Sequence, residues 1–129
     1  MGDPASILLV DDDRLMQMTL RHRLSREGYH VDLASEASEA MDLLGRHDYD
    51  LVLADIRAWE GCGLEVVKLA RRVAPATAIL LLAGSADPAE VEEALRAGAE
   101  AVLVKPCELA ELIREARNLV ARRRPHPAP

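Results

Sequence analysis

Three short apolar runs in this chain end in groups that could do chemistry. Ile7-Leu8-Leu9-Val10 runs into Asp11-Asp12-Asp13, Leu51-Val52-Leu53-Ala54 into Asp55, and Ala101-Val102-Leu103-Val104 into Lys105-Pro106. A short unbroken apolar run suits a strand buried on both faces, as inside a parallel sheet. A charged group just past such a strand sits at the carboxyl edge, where open α/β sheets bind ligands. Asp55 alone reads equally well as a group on display or as an ordinary helix-side aspartate. Three carboxylates and a lysine at matching strand ends are harder to dismiss as coincidence.

The energetics of such a cluster point to a class of chemistry. Like charges about 4 Å apart repel by roughly 4 kcal/mol at an effective dielectric near 20. Clustered carboxylates would partly protonate or splay unless a cation joined them. Hard oxygen ligands suit Mg²⁺, which takes one or two carboxylates and keeps its waters for a phosphate. Lys105 adds a point charge for a phosphoryl oxygen. Phosphoryl chemistry is the natural inference.

The elements that must position these groups alternate along the chain. Arg14 to Glu27 has helical spacing marked by Leu15, Met18 and Leu24, with Asp13 as its N-cap and Gly28 as its stop. Val31 and Leu33 alternate with polar residues, as in a strand near a sheet edge. Ser35 is expected to open a second helix, carrying Ala37, Ala40, Met41 and Leu44 and ending near Gly45. After the Asp55 strand a loop is expected at Gly61 and Gly63, then a helix through Leu64, Val67, Ala70 and Val73, closed by Pro75. Ala78 to Ala83 is a further strand. Asp87-Pro88-Ala89-Glu90 is a strong helix start, with a cap, a first-turn proline and an acid three residues past the cap. Val91, Ala94 and Leu95 mark that helix, and Gly98 stops it. A last helix shows Leu109, Leu112, Ile113, Ala116 and Leu119 on one face. Five strand–helix alternations with short connections imply one α/β domain, its parallel sheet covered on both faces.

Composition narrows the class. With 129 residues, 50% apolar and 29% charged, the chain is long enough for a core of its own. The absence of Phe leaves that core to Leu, Val, Ile and Ala. A net charge of −6 argues against nucleic acid as the domain's main partner. No apolar run approaches the roughly 20 residues that cross a bilayer. No leader-like segment opens the sequence, Cys62 and Cys107 have no metal-binding spacing, and a cytoplasmic location is expected. His22, His30, His47 and His126 show no ligand spacing either.

Leu8-Leu9-Val10-Asp11-Asp12, Asp55 after the third strand, Ala94-Leu95-Arg96-Ala97-Gly98-Ala99 and Lys105-Pro106 after the fifth together resemble the receiver domain of two-component response regulators. The likeness covers residues 5–121, leaving 122–129 as a disordered tail or the start of a linker. It implies a flavodoxin-like doubly wound fold, with strand order 2-1-3-4-5 and five helices. Asp55 would be the phosphoacceptor, taking a phosphoryl group from a histidine kinase or a histidine phosphotransfer protein. Asp12, Asp55 and the backbone carbonyl of Arg57 would hold Mg²⁺, with Asp11 acting mainly through water. Lys105 would pair with the phosphoryl group, and its bond to Pro106 would be cis. The C-terminal helices would meet an output domain or protein, and a homodimer is compatible with the likeness.

The sequence departs from the family where the family reads out its signal. The position that usually carries Thr or Ser is Ala83, which has no hydroxyl; Ser85, two residues on, reads as a substitute for it or, more simply, as a solvent-facing loop serine. At the position of the family's switch aromatic stands Val102, which cannot swing a ring. Ala58-Trp59 replaces the usual Met-Pro, so Trp59 could cover the pocket or meet a partner. Arg57 reads both as a modulator of phosphate lifetime and as a solvated loop charge. Two rival readings follow: a pseudo-receiver that binds partners without phosphorylation, and a small phosphatase using Asp11 as nucleophile in Asp11-Asp12-Asp13.

Overall fold

The computed structural model describes residues 4–84 and 87–123, including every side chain there except those of Trp59 and Glu60. Strands β1 (Ser6–Val10), β2 (His30–Ala34), β3 (Leu51–Asp55), β4 (Ala78–Ala83) and β5 (Ala101–Val104) alternate with five helices. These are α1 (Arg14–Arg26), α2 (Ala37–Arg46), α3 (Ala58–Val73), α4 (Pro88–Ala97) and α5 (Leu109–Arg123). The strands form one sheet in the order β2-β1-β3-β4-β5, with every pairing parallel.

The unbroken apolar runs of β1, β3 and β4 are the interior strands, as expected, whereas that of β5 lies at an edge and is only half-buried. All of β3 and β4 is buried, and so are Ile7 to Val10 of β1. β2, whose sequence alternates, lies at an edge. Strand residues alternate between two cores. Leu8, Val10, Val52, Ala54, Ile79 and Leu81 face α2, α3 and α4. Ile7, Leu9, Leu51, Leu53, Leu80 and Leu82 face α1 and α5.

Several expectations need correction. Gly61 and Gly63 do not form a loop: α3 begins at Ala58 and contains both. A Cβ on Gly63 would lie 2.1 Å from the carbonyl oxygen of Asp55, so only glycine lets the helix pack this closely on β3. The second helix starts at Ala37, and Ser35 lies before it, giving its N–H to Glu39 at 2.6 Å. Leu15 and Met18 do not mark the inward face of α1; they are 75% and 64% exposed, while Gln17, Leu20 and Leu24 are buried. Val73 and Leu95 are likewise half exposed. Finally, α5 continues through Arg122 and Arg123.

The expected caps are present. Asp13 accepts the N–H groups of Leu15 and Met16, and Asp87 accepts that of Ala89. α1 and α4 give way to Gly28 and Gly98, both at positive φ. No helix among the described residues is long and apolar enough to cross a membrane.

Candidate functional site

β1 has β2 on one side and β3 on the other, so the chain's direction of winding reverses there. The crevice of a doubly wound sheet opens at this reversal, beyond the strands' carboxyl ends. Register then decides what meets in it. Val10 pairs with Ala54, which sets Asp11 level with Asp55. Asp55 pairs with Leu82, and Leu82 with Leu103, so Lys105 emerges two residues further along the same edge. The Lys105 N–H donates to the Ala83 carbonyl at 2.8 Å, and the Lys105–Pro106 bond is cis.

Three of the expected residues converge. The Lys105 ammonium donates to Asp55 Oδ2. Asp55 Oδ1 accepts the N–H of Arg57 at 2.9 Å, and Asp11 Oδ1 accepts that of Asp13 at 2.9 Å. Each carboxylate is thus pinned by the N–H two residues on, the local bond typical of Asp in turns. Asp11 is 1% exposed and Asp55 7%, whereas Asp12 is exposed.

The electrostatics follow from this packing. Burial is the largest influence on Asp11 and raises its pKa. The charges of Asp55 and Asp12 add to that, against the Asp13 N–H and Lys105. Burial acts on Lys105 in the opposite sense, favouring the neutral amine. The hydrogen bond and charge of Asp55, with Asp11 and Asp13, outweigh it and leave the ammonium above its usual range. Lys105 therefore stays charged at neutral pH.

Asp11 Oδ2 is buried without a hydrogen-bond partner. Such an atom, an acceptor among acceptors, is where a hard cation would be most favourable. The three carboxylates are nevertheless looser than expected. Among the described residues no three acidic, imidazole or thiolate groups converge tightly enough to hold an ion by side chains alone. The ion pair to Lys105 engages Asp55, and Asp12 is exposed. Any ion would complete its shell with water and backbone oxygen, as Mg²⁺ does.

The remaining candidates divide. Ala83 is fully buried and Val102 half-buried on the α4 side of the sheet, neither with a group to donate or to rotate. Asp13 is engaged in capping α1. The Arg57 side chain reaches Glu90 at 3.4 Å. Ser85 and the side chain of Trp59 lie outside the described residues. Cys107 borders the crevice, but burial first and Glu111 second push its thiol upward, away from reactivity. Cys62 is exposed on α3, and His22, His30 and His47 are exposed.

Two residues escaped the sequence reading. Buried Gln17 donates to the carbonyls of Asp11 and Ala34, tying α1 to the ends of β1 and β2. Its signal was a polar residue on the helix face opposite Leu15 and Met18. Glu90 looked only like a first-turn acid, yet its carboxylate also accepts the Gly84 N–H at 3.1 Å.

Comparison with known proteins bears on the family and the fold. A family model described as the response regulator receiver domain matches residues 7–117. The chain is 38% identical over 126 residues to response regulator MprA of Mycobacterium sp. (strain KMS), covering 98% of this chain and 55% of that protein. It is 37% identical over 122 residues to MprA of Mycobacterium leprae, covering 95% and 54%. The chain therefore spans about half the length of these curated relatives. Among solved structures, a CheY-like receiver domain protein from Methanospirillum hungatei superposes with a TM-score of 0.87 at 26% identity, covering 94% of this chain and 97% of that one. Vibrio cholerae chemotaxis protein CheY4 gives 0.82 at 28% identity, covering 90% and 98%. Sequence and fold agree along nearly the whole chain, and on that ground the protein belongs to the response regulator receiver domain family.

Proposed function

We propose that this receiver domain accepts a phosphoryl group on Asp55 from a phosphohistidine of a histidine kinase or phosphotransfer protein. The observation that carries this reading is the pairing of Lys105 with Asp55 beside the partnerless buried oxygen of Asp11. One oxygen of Asp55 would attack phosphorus as the phosphorus–nitrogen bond breaks, and the donor's imidazole leaves with the bond's electrons. The acyl phosphate so formed carries charge on its outer oxygens, and Lys105 is placed to move from the carboxylate to one of them. The chain's contribution is alignment and charge neutralisation, which dominate phosphoryl transfer.

Asp11, Asp12, Asp55 and the Arg57 carbonyl are the residues that would hold Mg²⁺. When bound, the ion supplies charge neutralisation for the carboxylates and the incoming phosphoryl oxygens. The donor must cover this edge to reach Asp55. Leu15 and Met18, exposed on α1, offer it an apolar footing. Leu15 also borders a groove of about 600 Å³ lined by Met16, Lys105, Pro106 and Leu109. Whatever output follows would engage the C-terminal half of the domain, in this chain or another.

Incubation with acetyl phosphate and Mg²⁺, read by Phos-tag mobility and by mass spectrometry of the modified peptide, tests the reading. Wild type should gain one phosphoryl group and Asp55→Asn none; equal labelling of the two ends it. The pseudo-receiver is the second reading, favoured by the bare methyl of Ala83 and by Val102. Binding of a partner with equal affinity to wild type and Asp55→Asn, with no label on either, would support it. The phosphatase reading is weaker, because Asp13 is engaged as a helix cap.

A further inference from the structure

The family's hydroxyl and ring are missing from the readout positions, but a different set of contacts crosses the same edge. Gly84 follows β4 directly, two residues beyond Leu82, the register partner of Asp55. Arg57 lies two residues beyond Asp55 itself. Both residues lie just past neighbouring strand ends, Arg57 at the turn that leads into α3, and the Arg57 side chain passes close to Gly84. Both turn donors towards one carboxylate. Glu90 Oε1 accepts the Gly84 N–H at 3.1 Å, and Glu90 Oε2 meets the Arg57 guanidinium at 3.4 Å. The guanidinium passes close over Gly84: a Cβ there would lie 3.3 Å from Arg57 Nε and 3.5 Å from its Cζ. The Glu90 side chain is only 16% exposed, although it belongs to the first turn of a surface helix.

A backbone N–H and a guanidinium converging on two carboxylate oxygens make an anion site. It lies at the edge where a phosphoryl group on Asp55 would extend. We infer that Glu90 fills this anion position while Asp55 is unmodified, and that the phosphoryl group displaces it. The inference rests on the phosphoacceptor reading above and adds a readout to it. A phosphoryl group brings more charge and more acceptor oxygens than a carboxylate. The Arg57 side chain is 70% exposed, so its pairing with Glu90 is screened and weak enough to yield to it. Once Arg57 and the Gly84 N–H turn to phosphoryl oxygens, the tie from the first turn of α4 back to β4 is lost. Phosphorylation would thus loosen α4 without a hydroxyl or a moving ring. Glu90 is a positioning residue in this scheme: it holds the two donors and is not itself phosphorylated.

The test uses the whole chain as wild type, Glu90→Gln, Glu90→Ala and Asp55→Asn, each with and without acetyl phosphate and Mg²⁺. Phos-tag gels give the phosphorylated fraction, and hydrogen exchange follows the amides of α4. A competitor's removal raises labelling, so Glu90→Gln and Glu90→Ala should both show about two- to fivefold more phosphorylated protein at limiting donor. In wild type, phosphorylation should speed α4 exchange about fivefold. Unphosphorylated Glu90→Ala should already exchange at the phosphorylated wild-type rate, and Glu90→Gln, which loses the charge but keeps an acceptor for the Gly84 N–H, at a rate between the two. Gln keeps the side chain's length, so a purely structural role would leave that variant like wild type and lower labelling in Glu90→Ala. Either of those results overturns the inference, as does a labelled wild type with unchanged α4 exchange. An unlabelled wild type, matching Asp55→Asn, would instead remove the phosphoacceptor reading and this inference with it.

Discussion

Asp11 shows how a single side chain can be set against the fold that holds it. It is buried, pinned at one oxygen by the Asp13 N–H and partnerless at the other. Burial first, then the charges of Asp55 and Asp12, raise its pKa in the folded protein despite Asp13 and Lys105. In the unfolded chain the carboxyl titrates near 3.9. Below that pH both states carry the proton and the site costs nothing. As pH rises through the elevated folded value, the folded state loses its proton at a disadvantage and stability falls. Asp11→Asn should therefore match wild type near pH 4 and exceed it at pH 7 in EDTA. The expected gain is about 3–6 °C in Tm, what about 1 kcal/mol gives a domain of this size. Saturating Mg²⁺ should narrow the gap, since the ion would stabilise wild type more than the variant. A variant less stable than wild type at pH 7 in EDTA would show the charge to be welcome there.

The start of α3 separates what the sequence announces from what it hides. Strands β1, β3 and β4 were legible because continuous burial demands continuous apolar residues, and the charged groups ending β1, β3 and β5 stood out against those runs. The caps at Asp13 and Asp87 were legible because an N-cap is a local bond with a local signature. Gly61 and Gly63 misled because helix propensity is a weak prior that tertiary packing overrides. Gly63 serves close approach to the Asp55 carbonyl, a contact between segments that no window along the chain reveals. α1 misled in the same way: Leu15 and Met18 face out and Gln17 faces in, because Gln17 is needed by the carbonyls of Asp11 and Ala34. The Glu90 contacts were invisible for the same reason, since they depend on where β3 and β4 end relative to one another. Gly63→Ala puts a number on this. The obstructing atom is backbone, so the strand end or the helix must shift, at a cost of about 1–3 kcal/mol or more. The urea midpoint should fall accordingly. Because the strand end carries Asp55, labelling by acetyl phosphate should slow even in the fraction that remains folded. Unchanged labelling per folded molecule would show that the helix alone gives way.

At the scale of the molecule, one sheet separates two cores that share strands but not side chains. Ile79 packs with Val52, Leu81 and Val67 towards α2, α3 and α4, while Ile7 packs with Leu51, Leu24 and Leu119 towards α1 and α5. β3 lies between β1 and β4, so the two isoleucines sit two strand spacings apart, about 9–10 Å, on opposite faces. Removing one methyl from each leaves two cavities with no common wall. Ile7→Val and Ile79→Val should each cost about 0.5–1.5 kcal/mol. The double variant should cost their sum to within about 0.5 kcal/mol, the margin for sites without shared partners. Unfolding should nonetheless remain a single transition, because every strand contributes to both cores and neither face can melt while the other keeps its backbone. Urea titrations followed by far-ultraviolet circular dichroism and by Trp59 fluorescence check both points together. A sub-additive double variant would mean that the sheet itself relaxes when either face is thinned. Two separate transitions would mean that the α1 and α5 face folds independently of the face carrying α4.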